Sequence, residues 1–341
     1  MRRRDFNLGL AGLAVLPAVA RPRRARAAEA ARLRIARQYG LPYLPMMVME
    51  QQGLIEKHGA VLGVPRLRME WTTLGGTSAL TDGLLGGALD FIVPGVAALA
   101  ALWDKTAGTA QEVRALSAVQ SMPFVLVTRN PAVTTIADFG DGDRIALPAV
   151  KISAQAVALE MAAAKLWGFE AYDRLDALTQ TLPHPEAMTA LLAGNSPITS
   201  HYTVSPFYYY ELANPALRAV LKSYDTLGGK HTNGVLVGTK RFHDAHPKLC
   251  AAVFAAQQEA NAFIAAHPHE AAEIYLEMTG ETRSSPDEIA GMIADPDLEY
   301  TTTPRQLMTF VDFMRRVGRI KRMPSSWKDL FMPEAHALAG S

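Results

Sequence analysis

The sequence predicts an α/β fold built as two similar lobes. Three observations carry this: a repeated unit of short apolar strand, Gly/Pro/Ser/Thr loop and helix; a restart of that unit near the middle of the chain; and a helical stretch near the C-terminus. Leu33-Arg34-Ile35-Ala36-Arg37 alternates apolar and charged as a strand with one buried face does, Gln38 to Pro45 reads as a loop, and Met46 to Gln52 as a helix stopped at Gly53. Leu67, Met69 and Trp71 alternate with Arg66, Arg68 and Glu70 in a second strand. Thr72 to Ser78 is the next loop, with Thr77 or Ser78 as N-cap of a helix running to about Leu85 and ended by Gly86-Gly87. Leu89 to Val93 is a third strand, closed by Pro94-Gly95. Strands alternating with helices imply parallel sheet.

The unit starts again at Arg144 to Leu147, a strand followed by the loop Pro148 to Ser153 and a helix from Ala154 to Trp167 that Gly168 stops. Leu191-Leu192-Ala193-Gly194 leading into Ile198 echoes Leu84-Leu85-Gly86-Gly87 leading into Phe91, as expected of two lobes built alike. Phe124 to Thr128 and Gly234 to Val237 are apolar runs flanking the middle segment and are expected to be the strands that cross between lobes. Beyond Arg241 the pattern is helical, over Pro247 to Ala266, Pro268 to Met278, Pro286 to Ile293 and Pro304 to Val317, each starting at a proline that a first helical turn accommodates.

The N-terminus predicts export. Arg3-Arg4 precede the apolar run Leu8 to Ala20, and Ala25-Arg26-Ala27 is a small-x-small cleavage site before Ala28. The run is about thirteen residues, short of the about twenty that a membrane span requires. Residues 1–27 are therefore expected to be a cleaved signal peptide of the twin-arginine kind. The remaining chain is long enough for two domains and, with 49% hydrophobic and 20% charged residues and a mean hydropathy of +0.04, can bury a sizeable core. A net charge of +1, with many arginines in the leader, speaks against nucleic acid as a partner. Cys250 is the single cysteine, so an intrachain disulfide and a thiolate metal cluster are excluded.

Leu33 to Ala36, Pro45 to Glu50 and Gly53-Leu54-Ile55-Glu56-Lys57-His58-Gly59, taken in order, resemble the opening of the nitrate/taurine/sulfonate-type substrate-binding proteins of ABC importers. The resemblance continues through Gly75-Gly76-Thr77, Leu89-Asp90, Ile136 to Phe139, Asn233 to Val237, Ala260 to Ile264 with the His267-Pro268 break, and Ser326 to Phe331. It implies a type II periplasmic-binding fold, two α/β lobes joined by a two-strand hinge near Met122-Pro123 and Gly228 to Gly234. The lobes are expected over residues 28–121 and 122–235, with a helical C-terminal part, 236–341, packing mainly on the first. It also implies a periplasmic monomer that captures a small, anionic or polar organic solute by hinge closure and docks transiently on a membrane permease and its ATPase, with no cofactor. Two alternatives stay open: a periplasmic ligand-sensing subunit, and an enzyme resembling the pyrimidine-precursor synthase of thiamine biosynthesis, whose cysteine-rich motif this chain lacks.

Ligands of open parallel sheets sit beyond the carboxyl ends of the strands. The loops there put forward Tyr39, Gly40, Leu41 and Tyr43, the turn Gly75, Gly76, Thr77 and Ser78, and Gly95 with Val96; the second lobe adds Lys151 and Ser153, with His201 and Tyr202 after a strand ending near Thr199. Gln120 and Asn233 are the candidates beside the hinge. The Gly75 to Ser78 turn suits an anion because glycine lets backbone N–H groups approach it at a helix start, and Lys151 would add a charge-assisted contact. Enzyme signals are poor. His243-Asp244-Ala245-His246 lacks the glutamate of a helix-borne zinc motif, and there is no GxSxG elbow, GxxxxGK[ST] loop or GxGxxG after the first strand. The run Phe207 to Tyr210 reads as packing.

Overall fold

A computed structural model describes residues 31–64 and 66–341. The expected signal peptide, residues 1–27, lies outside them. The chain enters through β1 (Ala31–Arg37), whose Leu33 and Ile35 are fully buried. Helices α1 (Leu44–Gln51) and α2 (Leu54–Val61) follow, parted by Gly53 in left-handed backbone, φ 60°. Next come β2 (Leu67–Thr73), α3 (Thr77–Leu85), β3 (Phe91–Ile92), α4 (Val96–Thr106) and β4 (Val113–Ser121). The second lobe holds β5 (Val125–Thr128), β6 (Ile145–Leu147), α5 (Ala154–Trp167), β7 (Thr179–Thr181), α6 (His184–Ala193), β8 (Ser200–Thr203), α7 (Phe207–Leu212), β9 (Arg218–Lys222) and α8 (Ser223–Leu227). The chain then returns through β10 (Thr232–Thr239), α9 (Lys240–Ala245), α10 (Pro247–Ala266), α11 (Pro268–Thr279), α12 (Pro286–Ile293), β11 (Glu299–Tyr300) and α13 (Leu307–Arg316).

The strands form a six-stranded sheet in the order β11-β4-β10-β3-β1-β2 and a five-stranded sheet in the order β7-β6-β8-β5-β9. Each has a parallel heart, β1 with β2 and β3, β6 with β7 and β8. Neither is wholly parallel as expected, because the strands beside the hinge run against their neighbours: β10 against β3 and β4, β5 against β8 and β9. Phe124 to Thr128 and Gly234 to Val237 are therefore not the crossings. The first lies with β5 in the second sheet, the second inside β10 of the first sheet. The chain passes between lobes at residues 122–124 and 228–231, and the expected lobe limit at 235 falls within a first-sheet strand.

One face of the first sheet is covered by α1, α2, α10, α11 and α12, around Leu33, Ile35, Phe91, Leu236 and Val253. The other face shares a single core with the second lobe: Ile92, Ala115 and Val235 belong to the same buried cluster as Phe124, Ile145 and Tyr202, joined through α4, α5 and α13. The C-terminal part is accordingly divided, since α13 packs on both α4 and α5. That helix begins at Leu307 rather than Pro304, because the Arg305 carbonyl accepts from the Thr232 amide, its own amide donates to Thr232 Oγ1, and Gln306 takes a left-handed φ of 50°. Among the described residues no helix is long and apolar enough to cross a membrane.

Candidate functional site

Six strand ends face one another across the lobe junction, and glycines stand where they meet. An ideal Cβ on Gly95 would sit 2.8 Å from the Ala154 Cβ at the start of α5, one on Gly75 3.2 Å from Pro183, and one on Gly76 3.3 Å from the Pro148 carbonyl. Gly40 would meet the Ser205 carbonyl at 3.0 Å, and the Leu41 amide donates to that oxygen at 3.1 Å. The lobes are thus in backbone contact. Gly40 also has a φ of 105°, outside the reach of ordinary side chains. Gly40→Ala is expected to cost about 1–3 kcal/mol of stability from strain, read as a lower urea midpoint at unchanged m-value.

Behind these contacts lie polar groups without partners. Gln120, on β4 opposite Gly234, is wholly buried with both amide atoms unpaired. Asn233 Nδ2, Tyr202 OH and Ser205 Oγ are likewise buried and unpaired. Such groups cost about 1–3 kcal/mol each and call for an explanation. His201 and Tyr202 do not follow the strand but form its middle: β8 runs over Ser200–Thr203, with both side chains at 0% exposure. Asn233 lies within β10 rather than on a crossover, and Tyr202 packs edge-on against Phe124, ring centroids 5.9 Å apart.

His201 belongs to a buried chain that sequence reasoning missed. Glu211 Oε1 lies 2.6 Å from His201 Nδ1, His201 Nε2 lies 2.8 Å from His184 Nδ1, and His184 Nε2 meets the Gln155 amide at 3.3 Å. Phe207 stacks on His184 at 5.4 Å. Burial drives the His201 imidazole down to about 3 and, with His201 beside it, holds His184 well below its ordinary value; burial also raises the Glu211 carboxyl. Each of these shifts favours the uncharged form of its group. His184 starts α6 and Gln155 lies in the first turn of α5, both at second-lobe strand ends. The strand that would have announced His184 is Thr179-Gln180-Thr181, which has no apolar residue to signal it.

The anion cradle differs from expectation. Gly76, not Thr77 or Ser78, is the N-cap of α3 and carries no side-chain cap; Thr77 is buried and Ser78 is exposed. Tyr39 is exposed, Tyr43 and Val96 are buried, and Ser153 is spent as the N-cap of α5, its Oγ accepting from the Ala156 amide. Lys151 is exposed, in left-handed backbone at φ 66°, and its charge opposes the burial that raises the Asp176 carboxyl. Its carbonyl accepts from Arg319 Nη1 at 2.9 Å. Arg319, beyond α13, also pairs with Glu160 of α5, tying the C-terminal part to the second lobe. Burial raises the Glu160 carboxyl to about 8 although Arg319 pulls it down. Near the hinge Tyr209 donates to Asp295, and Lys222 pairs with Asp297. Arg37, buried at the end of β1, is paired with Glu50 at 2.5 Å. Among the described residues no group of three or more His, Cys, Asp or Glu side chains could hold a metal ion.

No family model and no curated protein matches the sequence. Solved structures do match over most of its length. The alkanesulfonate-binding protein SsuA from Xanthomonas axonopodis pv. citri bound to MOPS aligns with a TM-score of 0.66 at 20% identity, covering 86% of this chain and 97% of that one. The periplasmic nitrate-binding protein NrtA from Synechocystis PCC 6803 gives 0.65 at 15%, covering 88% and 84%. A Candida albicans protein described as having the generic periplasmic binding protein structural fold gives 0.66 at 15%, covering 88% and 96%.

This chain has the periplasmic-binding-protein fold. The two lobes of that fold are the two sheets, and the junction between their strand ends is where Gln120, Asn233, Tyr202 and Ser205 are left unpaired.

Proposed function

We propose that the chain is the solute-binding component of an ABC importer: exported to the periplasm by the twin-arginine route, it captures a small polar solute between its lobes as a monomer and docks on a permease and its ATPase. It performs no catalysis. The observation that carries this reading is the set of unpaired buried polar groups at the junction, on strands of both lobes, behind glycines that let the lobes touch. A ligand that bonds these groups stabilises the joined arrangement through contacts that separate lobes do not offer. Proteins of the same fold are alkanesulfonate-binding and nitrate-binding, in support of a small polar solute.

Two thin connections, residues 122–124 and 228–231, suit a hinge. A thermal-shift screen of small polar solutes should find one that raises the melting temperature, since a ligand bound by the folded state alone adds RT ln(1 + [L]/Kd), about 2.7 kcal/mol at a hundredfold excess over Kd. Small-angle scattering with that solute should give a smaller radius of gyration than without. An equal radius at saturation would rule out capture by closure.

A further inference from the structure

We infer that the captured solute is uncharged and carries a hydrogen-bond donor beside an acceptor, the edge found in lactams, cyclic ureas and aminopyrimidinones, and that Gln120 reads this edge. The inference rests on the solute-capture reading and names its ligand class.

Gln120 is the group that decides it. Its side chain is wholly buried, and Nε2 and Oε1 both lack a partner. A primary amide holds its donor and acceptor side by side in one plane, so its natural complement is an acceptor and a donor spaced alike, the bidentate pairing by which Asn and Gln read adenine. A sulfonate, nitrate or carboxylate would satisfy Nε2 and set a negative oxygen against Oε1, leaving that carbonyl buried and unpaired. The amide lies over Gly234, where an ideal Cβ would be 2.9 Å from Nε2 and 3.1 Å from Oε1. Gly234 bridges to Gly95, and Gly95 abuts Ala154 of the second lobe. The amide is therefore at the strand ends where the lobes meet.

The other junction groups are uncharged. Asn233 Nδ2, next to Gly234 along β10, supplies a further unpaired donor, and Tyr202 OH can donate or accept. Of the two nearby cations, Lys151 is exposed, and Arg37 is neutralised by Glu50 through Nη1, with its Nε buried without a partner. Burial keeps the His201 imidazole uncharged.

The test is isothermal titration, with scattering at saturation, of the purified protein against two panels: δ-valerolactam, ethyleneurea and cytosine as neutral probes; methanesulfonate, nitrate and acetate as anions. A neutral probe should bind and contract the protein. N-Methyl-δ-valerolactam and N,N′-dimethylethyleneurea, which lack the donor, should bind the unaltered protein roughly tenfold or more weakly than their parents, as loss of a bond to a buried partner implies. In Gln120→Leu the parent probe should weaken by a similar factor and the difference between parent and methylated probe should vanish. Without ligand, Gln120→Leu should melt no lower than the unaltered protein, since it removes an unpaired buried amide. Equal binding of parent and methylated probes by the unaltered protein overturns the inference without recourse to any variant. Contraction with an anion and none with a neutral probe overturns it while the solute-capture reading stands. No binding and an unchanged radius in both panels overturns both.

Discussion

Gly95→Val is expected to abolish solute capture while leaving both lobes folded. The backbone of Gly95, φ −73° and ψ 163°, is open to any residue, so a side chain there meets no local strain. Its obstacle is the other lobe: the first carbon alone would sit 2.8 Å from the Ala154 Cβ and 3.3 Å from the Ala154 amide nitrogen. Overpacking of this kind costs about 1–3 kcal/mol or more, which shifts the joined arrangement by roughly fivefold to over a hundredfold. Scattering should show a larger radius that no solute contracts, with circular dichroism unchanged. Gly140→Val, at a site with open space around it, serves as the control. Equal affinity in the Gly95→Val and unaltered proteins would move the solute away from this junction.

Stability should fall as pH rises above about 6.5. Burial depresses three histidines, His184, His201 and His231, the last to about 4. Below about pH 6.5 the unfolded chain takes up protons at all three while the folded chain does not, so stability is lost as pH falls. Three carboxyls act in the opposite sense. Glu160, raised to about 8, and Glu211 and Asp176, both raised by burial, hold protons in the folded state that the unfolded state releases from about pH 4.5 upward, so their contribution is lost as pH rises. Between about pH 4.5 and 6.5 the two sets oppose each other, and above 6.5 the carboxyls act alone. Each group changes the slope by at most about 1.4 kcal/mol per pH unit. Urea midpoints should fall from pH 6.5 to pH 8, and Glu160→Gln should flatten that fall. A midpoint that climbs steadily from pH 6.5 to 8 would show that Arg319 keeps Glu160 ionised in the folded protein.

The candidate site was legible in the sequence where the signal was local. Gly40, Gly75, Gly76 and Gly95 are legible as glycines at strand ends, and all four stand at the lobe junction. Gln120 and Asn233, the candidates beside the hinge, are buried with unpaired atoms. A loop lysine such as Lys151 carries no mark of which way its loop will face. Val113–Ser121, the longest strand, is not legible: it is buried on both faces, and its mix of alanine, serine and only two valines shows no alternation. Ser200–Thr203 looked like a polar loop and is a central strand, tolerated there because Glu211 and His184 satisfy His201.

The strand and helix units that open each half, the breaks at Gly53, Gly86 and Gly168, and the division into two α/β halves were determined by the sequence alone, since hydrophobic period and turn chemistry act within a few residues. The tertiary structure decided which strand ends confront each other, that β10 and β5 run against their neighbours, and which buried polar groups find partners. Glu211, His201, His184 and Gln155 are linked by hydrogen bonds across three helices and a strand, while Gln120 is left with both ends of its amide free. Whether a buried polar group is paired depends on residues distant in the chain, and no local pattern carries that information.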